Sequence, residues 1–391
     1  MSVINIISAI GNNSSVYPLL VRDCGIEIPT KVALTYSQNL KDSKDMANNA
    51  LRERLIDEYG TSAVWLGGIP LMDLLCNKII KRLGYNPDIN LKMFNNDKIR
   101  KNIEKYKKLN PNEVKDLEKV LKNKKTYEKL LAGKFILSTA IPVAIMGFLL
   151  PKANFKLTEK LNNNKEKTSK NVSFKGLSAT IANFSTVNKM AITDGGLTIG
   201  RVSTGRNKYE KLELAFKMLG MMFLNFVAPI WIAKLFDIIA NKVFNTNVNL
   251  DPKILSDKTF IDSILNGKFK LPNDNIEEFL EKNPDEIFSK FADKFLFKGK
   301  LYNNKKFDPR TYIDDKKVNE FKNEIEKFAN EAINSGNVEK FAKKALKIKS
   351  ANILTNVTLS SALLAVGLPK LTFALRKKIT GSDAEPGLVK N

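Results

Sequence analysis

Histidine is absent from these 391 residues. Its absence removes the commonest general base, the Ser-His and Cys-His nucleophile pairs and most zinc chemistry together. Cysteine is nearly absent as well: Cys24 and Cys76 stand alone without a CxxC spacing. They read as small buried residues in a reducing compartment, not as a disulfide or a metal pair. Arginine is scarce, nine of 64 basic residues. Nucleic-acid readers favour its bidentate fork, and the lysines here lack the interleaved surface aromatics of a single-strand stacking platform. Negative charge is also short, with 41 acidic residues against those 64, so the formal net charge is +23. A charge that large repels itself and attracts anions. Anionic membrane lipid therefore ranks ahead of nucleic acid as a partner, a protein partner fits as well, and no small-molecule substrate is indicated. No catalytic, cofactor-binding or metal-ligating residue stands out, and the chain is read as non-enzymatic. No basic residue precedes Arg22, so the apolar N-terminal run lacks the charged start of a secretory signal.

What is present is repetition. Residues 10–28 align without gaps to 181–199 with seven identities, among them Asp23/Asp194, Gly25/Gly196 and Ile28/Ile199. Residues 70–91 align to 229–250, sharing Pro70/Pro229, Ile79-Ile80/Ile238-Ile239 and Leu91/Leu250. Residues 135–161 align to 353–379, anchored on Leu150-Pro151-Lys152 and Leu368-Pro369-Lys370. Chance gives about one identity per fifteen positions, and the three blocks are collinear. The expected fold is all-α, a tandem duplication of a helical unit with two long apolar helices per copy, packed about a pseudo-twofold axis. The expected divisions are 1–161 as repeat one, a Lys/Asn/Ser-rich linker at 162–180, 181–380 as repeat two with an inserted Lys/Glu/Phe-rich helical region at about 256–334, and a disordered tail at 381–391.

Four apolar stretches carry the pattern: Tyr59 to Met72, Phe135 to Pro151, Met218 to Ala233 and Ser350 to Pro369, of 14, 17, 16 and 20 residues. A bilayer core asks for about 20 apolar residues, with a range of roughly 17 to 25. The first and third continue as amphipathic pattern past Asp73 and Asp237, which then need a partner or an interface; with Lys234 they are the candidate intramembrane polar groups. Pro70 and Pro229 predict a kink or break inside their helices, whereas Pro151 and Pro369, each followed by Lys, predict helix ends at a headgroup layer. The basic charge does not choose an orientation. Lys81 to Leu130 carries 15 basic and 7 acidic residues, Lys152 to Leu212 carries 12 and 4, and both come to +8. In the insertion, Phe288, Phe291 and Phe295 form one stripe, and Val318, Phe321, Ile325, Phe328 and Ala332 another, at the spacing of helix core faces.

Two motifs are candidate sites. The repeated Asp-x-Gly element places Asp23 and Gly25, and again Asp194 and Gly196, as in a tight turn, with Asp capping backbone amides and Gly at positive φ. Its functional alternative is a paired-carboxylate ion site where Asp23 and Asp194 converge. The stretch Gly195 to Arg201 has the composition of an anion-cradling loop, with Arg201 and Arg206 as candidate anion contacts, but lacks the Lys-Ser/Thr ending of a P-loop.

The leading expectation is a membrane-associated helical protein without enzymatic activity, at a bacterial inner membrane or its cytoplasmic face. Its apolar helices would serve as a membrane or assembly element, with Lys-rich helices at anionic headgroups. The alternative is a soluble, cytoplasmic helical scaffold binding a protein or nucleic-acid partner. A third is a transporter or channel built on the repeat.

Overall fold

The structure is a computed structural model and describes residues 2–12, 16–95, 97–161, 186–273 and 275–386. The expected linker at 162–180 and the end of the tail from 387 lie outside the described residues. The chain is predominantly helical, mostly in long helices, as its apolar periodicity predicts. In chain order the main elements are α1 (Val3–Gly11), α2 (17–39), α3 (Lys44–Arg82), α4 (Lys98–Tyr106), α5 (Pro111–Lys122), α6 (Lys124–Thr158) and α7 (Thr186–Thr204). There follow α8 (Lys208–Phe244), α9 (Lys258–Leu265), α10 (Ile276–Lys282), α11 (Ile287–Phe291), α12 (Asp315–Asn334) and α13 (Val338–Thr380).

Five of these helices pass through a proline by one device. The residue before Pro29, Pro70, Pro151, Pro229 and Pro369 donates its N–H five residues back: Ile28 to Asp23, Ile69 to Val64, Leu150 to Ile145, Ala228 to Phe223 and Leu368 to Leu363. Proline lacks an N–H, and in a regular α-helix its ring presses on the carbonyl four residues earlier. A single π-turn widens the helix at that point and relieves the clash. Two sequence expectations are corrected by this. The helices do not break at Pro70 and Pro229, nor do they end at Pro151 and Pro369; α3, α6, α8 and α13 continue beyond them. These four are long and apolar enough to cross a membrane, by length and composition.

The chain divides into two compact units, each drawing segments from both of the expected repeats. One comprises 1–8, 79–131 and 233–354. Its core is built on phenylalanine: Phe260, Phe288, Phe291, Phe321, Phe328 and Phe341 are buried together with Ile264, Leu280 and Ile325. Phe260 alone packs edge-on to Phe269 and Phe291 and stacks on Phe328. Both phenylalanine-bearing stripes thus lie in this core. A two-residue hairpin pairs Tyr302 with Phe307, turning through Asn304 and Lys305 at φ 46° and 64°, the left-handed pair that such a turn requires. Asn110 opens α5 with Pro111 at its first position, and its amide donates to the Phe307 carbonyl. Across this core, Asn102 donates to the Pro309 carbonyl at 2.6 Å.

The other unit comprises 9–78, 132–232 and 355–391. Leu19, Trp65, Ile69, Met146, Met190, Leu197 and Met218 form its apolar cluster. Two glycines there permit a helix crossing: a Cβ on Gly200 of α7 would stand 3.0 Å from the Gly147 Cα of α6. Gly25, by contrast, has helical φ and open space where a Cβ would go. Gly200→Ala is therefore expected to destabilise the protein by about 1–3 kcal/mol through overpacking. Gly25→Ala should be neutral to stabilising by about 0.5–1 kcal/mol. Thermal unfolding midpoints of the two variants check the contrast, and equal shifts would refute it.

Candidate functional site

The second unit turns its charges inward. Helix α2 buries Arg22, Glu27, Lys31, Thr35 and Asn39 while Leu20 and Ile26 face out. Helix α7 likewise buries Lys189, Thr193, Asp194 and Arg201 and exposes Ile199. Steps of five and four residues in α2, and of four, one and seven in α7, put each polar set on one helix side, so the sequence period is helical but its polarity is reversed.

The buried charges are joined in a chain. Lys31 pairs with Glu27 one turn earlier and reaches Glu58 at 4.0 Å. Glu58 also holds Arg54 at 3.2 Å and Lys217 at 3.0 Å. Arg54 leads on to Glu385 at 3.8 Å. From there Arg376, fully buried, lies 3.5 Å from Glu385 and takes both oxygens of Glu213 at 2.6 and 2.9 Å. Burial raises the Glu385 carboxyl, yet Arg376 and Arg54 together hold it below its ordinary value. Beside this chain Arg201 binds Asp57 at 2.6 Å. Arg206 bridges Glu53 and Glu210 at 3.2 and 2.8 Å and stacks on Phe155 at 4.2 Å. A cavity of about 70 Å³ lies among them, walled by Glu53, Arg54, Asp57, Asn154, Arg201 and Lys217 with Pro151, Phe155 and Leu214. The Asn154 Oδ1 and Arg201 Nε atoms are buried there without a protein partner, in a space that admits a few waters.

The repeated Asp-x-Gly element is not a turn. Asp23 starts the π-turn of α2, Asp194 sits within α7, and neither Gly25 nor Gly196 has positive φ. A helix needs no such turn chemistry, and Gly196 serves packing instead, since a Cβ there would stand 3.0 Å from Val143. Both aspartates lie in the second unit, and the charge of Asp23 acts on Asp194. Burial pushes the Asp23 carboxyl up to about 7, reinforced by the charge of Glu27 and opposed by the Ser62 hydroxyl that donates to it. Burial pushes Asp194 up to about 8, with Arg201 opposing and the charges of Asp23 and Glu27 adding.

The expected anion loop is also corrected. Gly195 to Arg201 is helical, and Arg201 and Arg206 are occupied by carboxylates. The three intramembrane candidates each have surroundings of their own. Asp73 takes Lys189 at 2.7 Å, Asp237 takes Lys349 at 2.6 Å and Asn352 at 3.0 Å, and Lys234 is exposed. Sequence reasoning passed over Glu58, Lys217, Glu213 and Arg376. The only signal was their spacing: charged residues at the rim of each apolar stretch, which by itself reads as a solvated end. Among the described residues no group of three or more carboxylates or thiols is placed to hold a metal. No family model matches the chain, and the searches of curated proteins and of solved structures found no match.

Two outcomes follow. Removing one partner of a fully buried pair leaves the other charge stranded, at about 3–5 kcal/mol. Arg376→Met should therefore lower the unfolding midpoint sharply, and the double variant with Glu213→Leu should recover part of the loss; a double variant no better than the single would refute the pairing. Asp194 keeps its proton longer folded than unfolded, where its pKa is about 3.9. Its contribution to stability is then fully present below about pH 4 and is lost as pH rises through about 8. Asp194→Asn should flatten the fall in unfolding midpoint between pH 5 and pH 9, and an unchanged slope would count against the assignment.

Proposed function

We propose that this chain is a non-enzymatic helical scaffold, held in a membrane by α3, α6, α8 and α13, with its ion-paired unit as the rigid element of the assembly. What supports the membrane is the reversed polarity. Soluble bundles bury apolar side chains and leave charges in water, so buried charge beside exposed apolar surface is the informative combination. Along α8 only 11% of the most apolar 18-residue window is buried. After its proline, Ile230, Trp231, Leu235, Ile238, Ile239, Val243 and Phe244 are all exposed. At 3.6 residues per turn they cover roughly 260° of the helix circumference. A docked protein covers a stripe on the order of 100° wide, whereas lipid covers a helix from most sides. On α3, Leu71, Leu74, Leu75 and Ile79 are exposed as well. The duplication supports the reading too, since the π-turn and proline recur at aligned positions, Pro70/Pro229 and Pro151/Pro369. For the non-enzymatic part the support is the missing histidine and the pairing of the buried charges with one another.

A second reading, the soluble scaffold, has its own support. Closely packed helices and a continuous buried ion-pair network are what a compact globular bundle displays, and that feature favours it over the membrane. Its exposed apolar residues would then be covered by a protein partner.

An alkaline carbonate wash of membranes from expressing cells separates the two. The membrane reading expects the full-length protein to stay in the pellet, and its release into the supernatant would establish the soluble scaffold instead. Substituting Trp231, Leu235 and Ile239 together by Gln should increase release if lipid covers α8.

A further inference from the structure

We infer that the groove formed by the start of α13 and the end of α8 binds the phosphate of an anionic lipid headgroup. The inference rests on the membrane reading and gives it a specific contact. The groove lies within the phenylalanine-cored unit, has a volume of about 670 Å³ and is lined by Phe244, Lys340, Lys343, Lys344 and Lys347 with Glu339 as its acid. An adjoining hollow shares Phe244, Lys340 and Lys344.

Four lysines at 340, 343, 344 and 347 occupy one side of α13, each a helical neighbour of at least one other at three or four residues' distance. Like charges so placed repel and weaken a helix. Glu339 answers Lys343 at 3.6 Å, and Lys344 donates to the Phe244 carbonyl at 2.7 Å. Among the described residues Lys340 and Lys347 have no carboxylate within ion-pair distance. The groove therefore keeps a net charge of +3 in an unburied position, complementary to a phosphate.

Apolar continuity selects a lipid over free phosphate. Lys347 lies three residues before Ser350, about 5 Å along the helix at 1.5 Å per residue, and from Ser350 to Pro369 α13 carries no charge. Phe244 is exposed at the groove's other wall, and Leu354 is exposed two turns beyond Lys347. A phosphate in the groove would thus have apolar surface on both sides for its acyl chains. Lysine at such a boundary holds phosphate as a point charge, and each lysine near an anionic surface changes affinity about fivefold.

The test is thermal unfolding of the full chain in neutral detergent, titrated with dioleoyl-phosphatidylglycerol or dioleoyl-phosphatidylcholine. Phosphatidylglycerol should raise the midpoint and phosphatidylcholine should not. K340Q/K343Q/K344Q/K347Q should need at least a hundredfold more phosphatidylglycerol for the same rise, while a control lacking four exposed lysines elsewhere in that unit, K101Q/K108Q/K115Q/K122Q, should respond like the parent. Equal responses of the two quadruple variants would overturn the site. Should the groove variant fail to fold, the single K347Q serves, with an expected fivefold loss and with no loss overturning the site. A rise produced equally by inorganic phosphate would overturn the lipid assignment. The carbonate wash keeps the two ideas apart: a pellet-bound protein without the phosphatidylglycerol response sinks the groove alone. A washed-off protein that keeps the response sinks the membrane span alone.

Discussion

A guanidinium with none of its surface in water has to be answered where it stands, and Arg376 is so placed. Its two forks to Glu213 fix α13 against α8, and its contact with Glu385 draws the segment after α13 back onto the same unit. Glu385 in turn reaches Arg54, and Arg54 reaches Glu58. No member of such a chain can be moved without stranding a neighbour, so the helices that carry them are held in one register. The individual pairs need not add net stability, because desolvation offsets much of the Coulombic attraction. What they impose is a geometric constraint, since each buried charge is answered only where its partner stands.

The π-turns solve a second constraint in the same helices. Proline in a helix removes a donor and crowds a carbonyl, and most helices avoid the problem by ending. Pro29, Pro70, Pro151, Pro229 and Pro369 each follow a widened turn, often with glycine in it: Gly25, Gly67 and Gly68, Gly147, and Gly367, whereas Pro142 sits in the regular part of α6. Small residues leave the loosened turn room to adjust, and the helix continues into the next apolar segment. In α7 the position aligned with Pro29 is Gly200, the helix there is regular, and the freed space is used for the close crossing on Gly147.

Much of this was legible beforehand. The helical class, the phenylalanine stripes and the four apolar segments follow from periodicity, because burial in a helix repeats at 3.6 residues whatever the fold around it. The behaviour at proline was not legible, since sequence shows the missing donor but not the compensating turn. Nor was the Asp-x-Gly element, where residue types favoured in turns sit in helices: local preference is worth less than the packing of Gly196 on Val143. The ion network was hidden for a different reason. Glu58 and Lys217 are far apart in sequence, and charge at the rim of an apolar stretch looks the same whether it faces water or another charge.

The placement of charge relative to apolar length bears on how one chain can be both ion-paired and apolar-surfaced. Glu53, Arg54, Asp57 and Glu58 precede the apolar part of α3, Lys217 precedes that of α8, and Arg376 follows that of α13. Asp73 falls within the apolar part of α3 and has its own lysine, Lys189, supplied by α7. Apart from Asp73 in α3 and Asp237 in α8, each with its own lysine, the uncharged lengths and the paired charges are separated by position along these helices. In the second unit, α2 and α7 carry charge along their middles, and both bury their polar sides. The outward apolar side chains of α3 and α8 thus fall mostly over the lengths where charge is sparse, and whatever covers them, lipid or protein, meets a surface the ion pairs do not interrupt.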